Sequence, residues 1–75
     1  IKISGKIIQH VETLKAVRSI IKGIAKQNKA SNIKTVAEFI ETKEQAEILR
    51  DLGVDYGQGW FFSKARSAIE LNRAK

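Results

Sequence analysis

The stretch TVAEFIETKEQ, residues 35–45, decides the fold class of this 75-residue chain. It begins with short β-branched and apolar residues, and we predict a strand over residues 33–39. Thr42 then stands three residues before Gln45, and this Thr-x-x-Gln spacing is a capping box that opens a helix. The helix turns Ala46, Leu49 and Leu52 inward and ends at Gly53, a residue suited to a left-handed C-cap.

The sequence on either side predicts further strands and helices. Residues 1–3 have the character of the end of an earlier strand, and residues 54–62 predict a later strand rich in aromatic residues. Ser63 or Ser67 can cap a last short helix through Ile69 and Leu71. Between the first two strands, residues 7–29 predict one helix of about 20 residues. Its apolar stripe consists of Ile8, Val11, Leu14, Val17, Ile21 and Ile24.

The predicted element order is β-α-β-α-β-α, with a helix in every link between strands. Such links make neighbouring strands parallel, with right-handed crossovers. We therefore predict an α/β fold of three parallel βα units, which is part of an α/β barrel or of an open α/β sheet. Because the chain begins Ile1-Lys2-Ile3 without Met, we expect it to be a piece of a longer protein.

Composition excludes several classes of function. A chain of 75 residues forms one domain at most, and without Cys it has neither disulfides nor a thiolate zinc site. No apolar run approaches the ~20 residues needed to cross a bilayer, so we expect no membrane contact from this segment. The net charge is +6, but the basic residues are spread along the chain. We predict no specific nucleic-acid binding, and we interpret Lys15, Lys22, Lys26 and Lys29 as a solvated helix face.

Polar residues occur where parallel α/β proteins place their functional groups, near the carboxyl ends of strands. Lys2 lies in the first strand, and Glu38 ends the second on the same face as Val36. Gln58 lies in the third strand between two glycines, which let a ligand or another backbone approach closely. An acid, an ammonium and an amide at one edge could orient a metal-bound water or bind a phosphate. The alternative is an inter-strand ion pair of Lys2 and Glu38 without chemistry.

Two further polar residues, His10 and Glu41, give weaker indications of chemistry. His10 is the only histidine and has no Cys partner, so a surface position is expected rather than a metal ligand. Glu41 forms a carboxylate pair with Glu38, or else it braces a loop and supplies an acidic group to the first helical turn.

TVAEFIETKEQ, residues 35–45, resembles the AEGVETxxQ signature of EAL domains, the phosphodiesterases that hydrolyse the bacterial second messenger cyclic di-GMP. LRDLGVDYGQGW, residues 49–60, resembles the family's LxxLGxDxxQGY, and FSK, residues 62–64, resembles its FSKP. IKIS, residues 1–4, is similar to the family's LKID strand. These motifs stand in the family's order and spacing, and the resemblance extends from residue 2 to about residue 65.

The resemblance implies a TIM-type (β/α)8 barrel, of which residues 1–75 would be the C-terminal portion. The complete parent would hydrolyse cyclic di-GMP to linear pGpG with Mg²⁺ or Mn²⁺, in the bacterial cytoplasm. The metal ligands of the family belong upstream of this stretch. We therefore expect no metal site and no hydrolysis from these residues alone.

By the same resemblance, Lys2 matches the active-site lysine near the metal-bound water, and Glu38 matches the glutamate that holds or deprotonates this water. Gln58 matches the glutamine at the pocket floor beside the substrate phosphate, and Glu41 matches a glutamate that braces the following loop. Departures from the family pattern are Ser4 for Asp, Phe39-Ile40 for Gly-Val, Trp60 for Tyr and Ala65 for Pro.

Two alternatives to the enzyme remain at this stage. One is a degenerate EAL domain that senses cyclic di-GMP without hydrolysing it. The other is a self-associating interaction module, since a short parallel sheet has unpaired edges and uncovered apolar side chains such as Val36 and Trp60. This surface predicts a homodimer or a higher homo-oligomer joined through the exposed sheet edge.

Overall fold

The computed structural model describes residues 1–59 and 69–71 of the chain. They form one sheet with strand order β1-β2-β3-β4, in which β1, β2 and β3 are parallel and β4 is antiparallel to β3. The predicted α/β fold with parallel strands in chain order is thereby confirmed. The elements are β1 (Lys2–Ile3), α1 (Gly5–Ile8), α2 (Lys15–Ala30), β2 (Val36–Ala37), α3 (Lys43–Asp51), β3 (Tyr56–Gly57) and β4 (Ile69–Glu70).

The two faces of the sheet differ in burial. The second residue of each parallel strand is buried and the first is not, so the same face is covered along β1, β2 and β3. Ile3 and Ala37 pack in the hydrophobic core with Ile21 of α2 and Leu49 of α3. Both helices therefore cover one face, as in a barrel wall. The opposite face carries Lys2, Val36 and Tyr56.

The start of α3 has the predicted capping box. The Thr42 hydroxyl accepts a hydrogen bond from the Gln45 backbone N–H at 3.0 Å. In return, the Gln45 side-chain oxygen accepts from the backbone N–H groups of Thr42 at 3.3 Å and Glu41 at 2.8 Å. After the helix, Gly53 has a φ of +99°, the left-handed conformation expected of it.

Replacing Thr42 with alanine is expected to lower the free energy of unfolding by about 1 kcal/mol, because the N–H of Gln45 loses its acceptor. Denaturant unfolding of the complete protein measures this change. Thr13→Ala is the matched control, since Thr13 is exposed in a turn and caps no helix. Equal unfolding midpoints for the two variants would show that the capping box contributes nothing.

The single helix predicted over residues 7–29 is wrong; the chain forms α1 and α2 with a turn between them. Leu14 interrupts the helix with extended backbone angles, φ −111° and ψ 110°. The Arg18 guanidinium stabilises the turn by donating hydrogen bonds to the carbonyls of Val11, at 2.9 Å, and Glu12, at 3.2 Å. Consequently Val11 stays fully buried, whereas Leu14 is 47% exposed.

The exposed face of α2 is basic. Lys15, Lys22, Lys26 and Lys29 are all exposed, in agreement with the solvated face expected from the sequence. Within the described part of the chain, no helix combines the length and the apolar character needed to span a membrane.

The strands are shorter than the sequence predicts. Ile33 follows α2 and donates its backbone N–H to the Asn28 carbonyl of that helix at 2.7 Å, so it is not part of β2. At the other end, Phe39 has a φ of +60°, which no regular strand continues through. The aromatic residues at 60–62 of the predicted third strand, Trp60 among them, lie outside the described residues.

The short final helix predicted through Ile69 and Leu71 is also wrong in its described part, because Ile69–Glu70 forms β4. Pairing with β3 satisfies backbone groups along an edge that would otherwise be open. The Leu71 N–H donates to the Asp55 carbonyl at 2.8 Å, and the Leu71 side chain packs against the core. The two predicted caps, Ser63 and Ser67, lie outside the described residues.

The amino ends of β2 and β3 are joined by a polar network. The Thr35 N–H donates to the Asp55 carboxylate at 2.9 Å, and the Asn28 amide donates to the Thr35 hydroxyl at 3.2 Å. The Lys29 ammonium lies 3.9 Å from the other Asp55 oxygen. Since Asp55 has only 15% of its side chain exposed, these bonds hold the strand register at the edge opposite the carboxyl ends.

Candidate functional site

The carboxyl ends of β1, β2 and β3 meet at one edge of the sheet. Ile3 pairs with Ala37, and Ala37 pairs with Gly57. The ladder continues past the strands, since Glu38 donates its N–H to the Ile3 carbonyl at 3.1 Å and Gln58 donates to the Ala37 carbonyl at 2.9 Å. Backbone hydrogen bonds therefore hold Glu38 and Gln58 side by side at this edge.

Lys2 and Glu38 lie on the sheet face that the helices leave uncovered. Lys2 is paired with Val36, two residues before Glu38, so both side chains project from the same face. The Lys2 ammonium lies 3.9 Å from a Glu38 carboxylate oxygen, and the side chains are 64% and 30% exposed. An ion pair as exposed as this contributes roughly 0–1 kcal/mol to stability. Both charged groups are accessible to a ligand.

The glycine after Gln58 allows two backbone segments to approach closely. Ile40 donates its N–H to the Gln58 carbonyl at 2.8 Å. Gly59 has a φ of +145°, and a Cβ at this position would overlap the backbone N and O of Ile40. The sequence predicts that a ligand or another backbone segment approaches the glycines beside Gln58. In the structure, the backbone of Ile40 approaches Gly59. This contact fixes the half-buried Gln58 against the β2–α3 loop.

Glu41 lies in the loop between β2 and α3. Its backbone N–H donates a hydrogen bond to the side-chain oxygen of Gln45 at 2.8 Å, whereas the Glu41 side chain is exposed. The Glu41 side chain lines an open cavity of about 350 Å³ on this side of the sheet. Its role as a loop brace stays a prediction. The cavity is lined by Ser4, Gly5, Lys6, Gln9, Phe39 and Glu41.

Ser4, which stands in place of the family's Asp, caps α1. Its hydroxyl accepts from the Lys6 N–H at 3.2 Å, and its carbonyl accepts from the N–H groups of Ile7 and Ile8 at 3.0 and 3.1 Å. This helix start was not predictable from periodicity, because four residues are too short for a periodic pattern. Phe39, which lies beside this helix start, was not predicted as a site residue, although a bulky side chain in place of glycine was a usable signal.

The described residues do not by themselves fit a divalent-metal site. In residues 1–59 and 69–71, no group of three His, Cys, Asp or Glu side chains comes together to hold an ion. Glu38 faces the Lys2 ammonium, and a cation at this distance disfavours a second cation on the same carboxylate. His10 is exposed in the turn between α1 and α2, away from any such group.

Residues 1–65 match the EAL domain family. The chain is 48% identical over 48 residues to the probable cyclic di-GMP phosphodiesterase PdeB of Escherichia coli strain K12, an alignment covering 64% of this chain. It is 36% identical over 64 residues, 85% of this chain, to the probable cyclic di-GMP phosphodiesterase PdeA of the same strain. In each case the alignment covers 9% of the relative's length.

Solved structures agree with this result. The EAL enzyme Bd1971 in its cAMP- and cyclic-di-GMP-bound form is 29% identical with a TM-score of 0.78, covering 97% of this chain and 19% of that one. The cGMP-bound form gives a TM-score of 0.79 at the same identity and coverage. These neighbours confirm the predicted TIM-type barrel as the fold class. Because the family match extends over residues 1–65, the chain belongs to the EAL domain family.

Proposed function

We propose that the complete protein containing this chain hydrolyses cyclic di-GMP to linear pGpG, with residues 1–75 forming the C-terminal portion of its EAL domain. The observation that carries this proposal is the Lys2–Glu38 pair, 3.9 Å apart on an accessible face at the edge where such barrels bind substrates. The relatives named as cyclic di-GMP phosphodiesterases support the choice of substrate.

Each of three side chains has a proposed task in the hydrolysis. Water attacks phosphorus, the bond from phosphorus to the ribose 3′ oxygen breaks, and the phosphate remains on the 5′ end of pGpG. The leaving 3′ oxygen takes a proton from solvent and becomes a hydroxyl. The Glu38 carboxylate accepts the proton of the attacking water. The Lys2 ammonium stabilises negative charge on the phosphoryl oxygens, and the Gln58 amide orients the phosphate. We further propose that side chains elsewhere in the complete domain hold its Mg²⁺ or Mn²⁺.

The proposed location follows from the family assignment, whereas the predicted self-association rests on the open edges of the sheet. A second-messenger substrate points to the cytoplasm of a bacterium. Self-association through a free sheet edge stays a prediction; the pairing of β4 with β3 makes β4, rather than β3, the outer strand on that side. Among the described strands, β1 and β4 are the two outer strands, each with one edge that pairs with no other described strand.

Incubating the complete protein with cyclic di-GMP and Mg²⁺ or Mn²⁺ tests the enzyme. We expect pGpG to accumulate, with one molecule formed per cyclic dinucleotide consumed, and liquid chromatography separates the two. Calorimetric titration measures binding in parallel. Binding without hydrolysis would replace the enzyme with the cyclic di-GMP sensor. Absence of both would overturn the proposal.

A further inference from the structure

Phe39 is an exposed aromatic residue in a strained backbone conformation. Its φ of +60° lies in the left-handed region, which costs an L-residue with a side chain roughly 1–2 kcal/mol. The backbone is held on both sides, since Glu38 donates to the Ile3 carbonyl and Ile40 donates to the Gln58 carbonyl. The side chain is nevertheless 64% exposed. Strain and an exposed apolar ring both oppose stability, and their combination is typical of functional positions.

The Phe39 ring has a defined place. It lies directly over the backbone of Gly5, where a Cβ would come within 2.7 Å of the ring Cγ. Glycine at this position therefore provides the flat surface on which the ring rests. Because most of the side chain is still exposed, the ring presents apolar surface to the solvent beside the sheet edge.

The surroundings of the ring suit a nucleobase. Phe39 lines the open cavity of about 350 Å³ together with polar side chains, among them Lys6, Gln9 and Glu41. An aromatic face with nearby hydrogen-bonding groups is the arrangement by which proteins bind unpaired bases. The cavity lies next to the proposed catalytic pair, since Phe39 immediately follows Glu38 in the chain.

We propose that Phe39 stacks against one purine base of the cyclic dinucleotide and thereby favours purine over pyrimidine substrates. This inference rests on the proposed function and adds a specificity determinant to it. The base attached to the ribose beside the reacting phosphate covers the exposed ring. Burying this ring against the base also offsets the strain of the left-handed backbone.

Titrations of the complete protein with cyclic di-GMP and cyclic di-UMP test the stack. A Glu38→Gln background keeps the ligands intact, and the two ligands differ only in their bases. Phe39→Gly is expected to weaken cyclic di-GMP binding roughly 5- to 150-fold and cyclic di-UMP binding by a smaller factor. Phe39→Tyr keeps the aromatic face and is expected to retain both the affinity and the preference for the purine ligand.

Two further measurements distinguish the loss of base stacking from a loss of stability or of apolar contact. Phe39→Gly removes the side chain that opposes a positive φ, so its melting temperature should not fall by more than a few degrees. Phe39→Leu keeps apolar contact with Gly5 but has no aromatic face, and its preference for the purine ligand should fall as far as that of the glycine variant. Unchanged cyclic di-GMP affinity in Phe39→Gly, or an equal loss for both ligands, would overturn the inference. If the unsubstituted protein neither binds nor hydrolyses cyclic di-GMP, the proposed function fails first and the inference fails with it.

Discussion

Replacing Glu38 with glutamine in the complete protein is expected to lower kcat for cyclic di-GMP hydrolysis about 10²- to 10⁴-fold, the usual contribution of a positioned general base. Glutamine keeps the size of the side chain but cannot accept the proton of the attacking water. The pair with Lys2 is exposed, so stability should change by no more than about 1 kcal/mol. Initial rates at saturating substrate, with thermal unfolding of the same samples, measure both quantities.

Glu47→Gln is the matched control for this substitution. Glu47 is an exposed carboxylate on α3, and its change to glutamine also removes one negative charge. We expect its kcat to stay within about twofold of the unsubstituted protein, because surface changes away from a site are usually neutral. A Glu38→Gln variant that hydrolyses as fast as this control would show that Glu38 is not the base.

Exchanging the two charges tests whether Lys2 and Glu38 take part in catalysis or form only an ion pair. The double variant Lys2→Glu with Glu38→Lys restores opposite charges across β1 and β2. If the pair only joined the strands, the exchange would recover both stability and activity. We expect the double variant to recover stability but not activity. Its carboxylate lies at position 2 instead of position 38, where the proposed base is needed. Recovered hydrolysis would favour the interpretation without chemistry.

Replacing Gly59 with alanine is expected to lower the free energy of unfolding by at least about 2 kcal/mol and to abolish hydrolysis. The φ of +145° is strained for any residue with a side chain, and the new methyl group would overlap the backbone of Ile40. The segments can separate only by breaking the 2.8 Å hydrogen bond from Ile40 to Gln58. Denaturant unfolding and the pGpG assay measure the two effects.

Gly23→Ala is the control for an added methyl group, and its effect should have the opposite sign. Gly23 lies in the middle of α2, and a Cβ there would meet nothing within 4 Å. Alanine favours the helix over glycine by about 0.5–1 kcal/mol, so this variant should be more stable than the unsubstituted protein. Similar stability for Gly59→Ala and Gly23→Ala would contradict the close approach at Gly59.

Features that depend on neighbouring residues were predictable from the sequence. The capping box at Thr42 and the left-handed Gly53 occur as expected, because each depends on a few residues along the chain. The break before α2 was not predictable in this way. Apolar residues are buried before the break, at Val11, and after it, at Ile21, so the apolar pattern continues across it. The Arg18 guanidinium that supports the turn does not alter this pattern.

The candidate site was likewise predictable from the sequence only in part. Alternation along the strands, together with parallel pairing, already indicated that Lys2 and Glu38 share a face, and the structure brings their charged groups to 3.9 Å. A close approach beside Gln58 was predicted, but neither its partner Ile40 nor the contact of Phe39 with Gly5 could be foreseen, since these contacts join residues distant in the chain. They depend on how the segments that follow β1, β2 and β3 meet at the sheet edge.

The sequence by itself thus determined the family, the parallel α/β order and the residues at the carboxyl edge, because motifs, periodicity and caps act over short stretches of chain. Only the tertiary structure decided that residues 69 and 70 pair with β3, that Leu14 is exposed and that Phe39 adopts a positive φ. Pairing of an open edge and close approach of backbones depend on segments brought together by folding. Local sequence preferences do not contain this information.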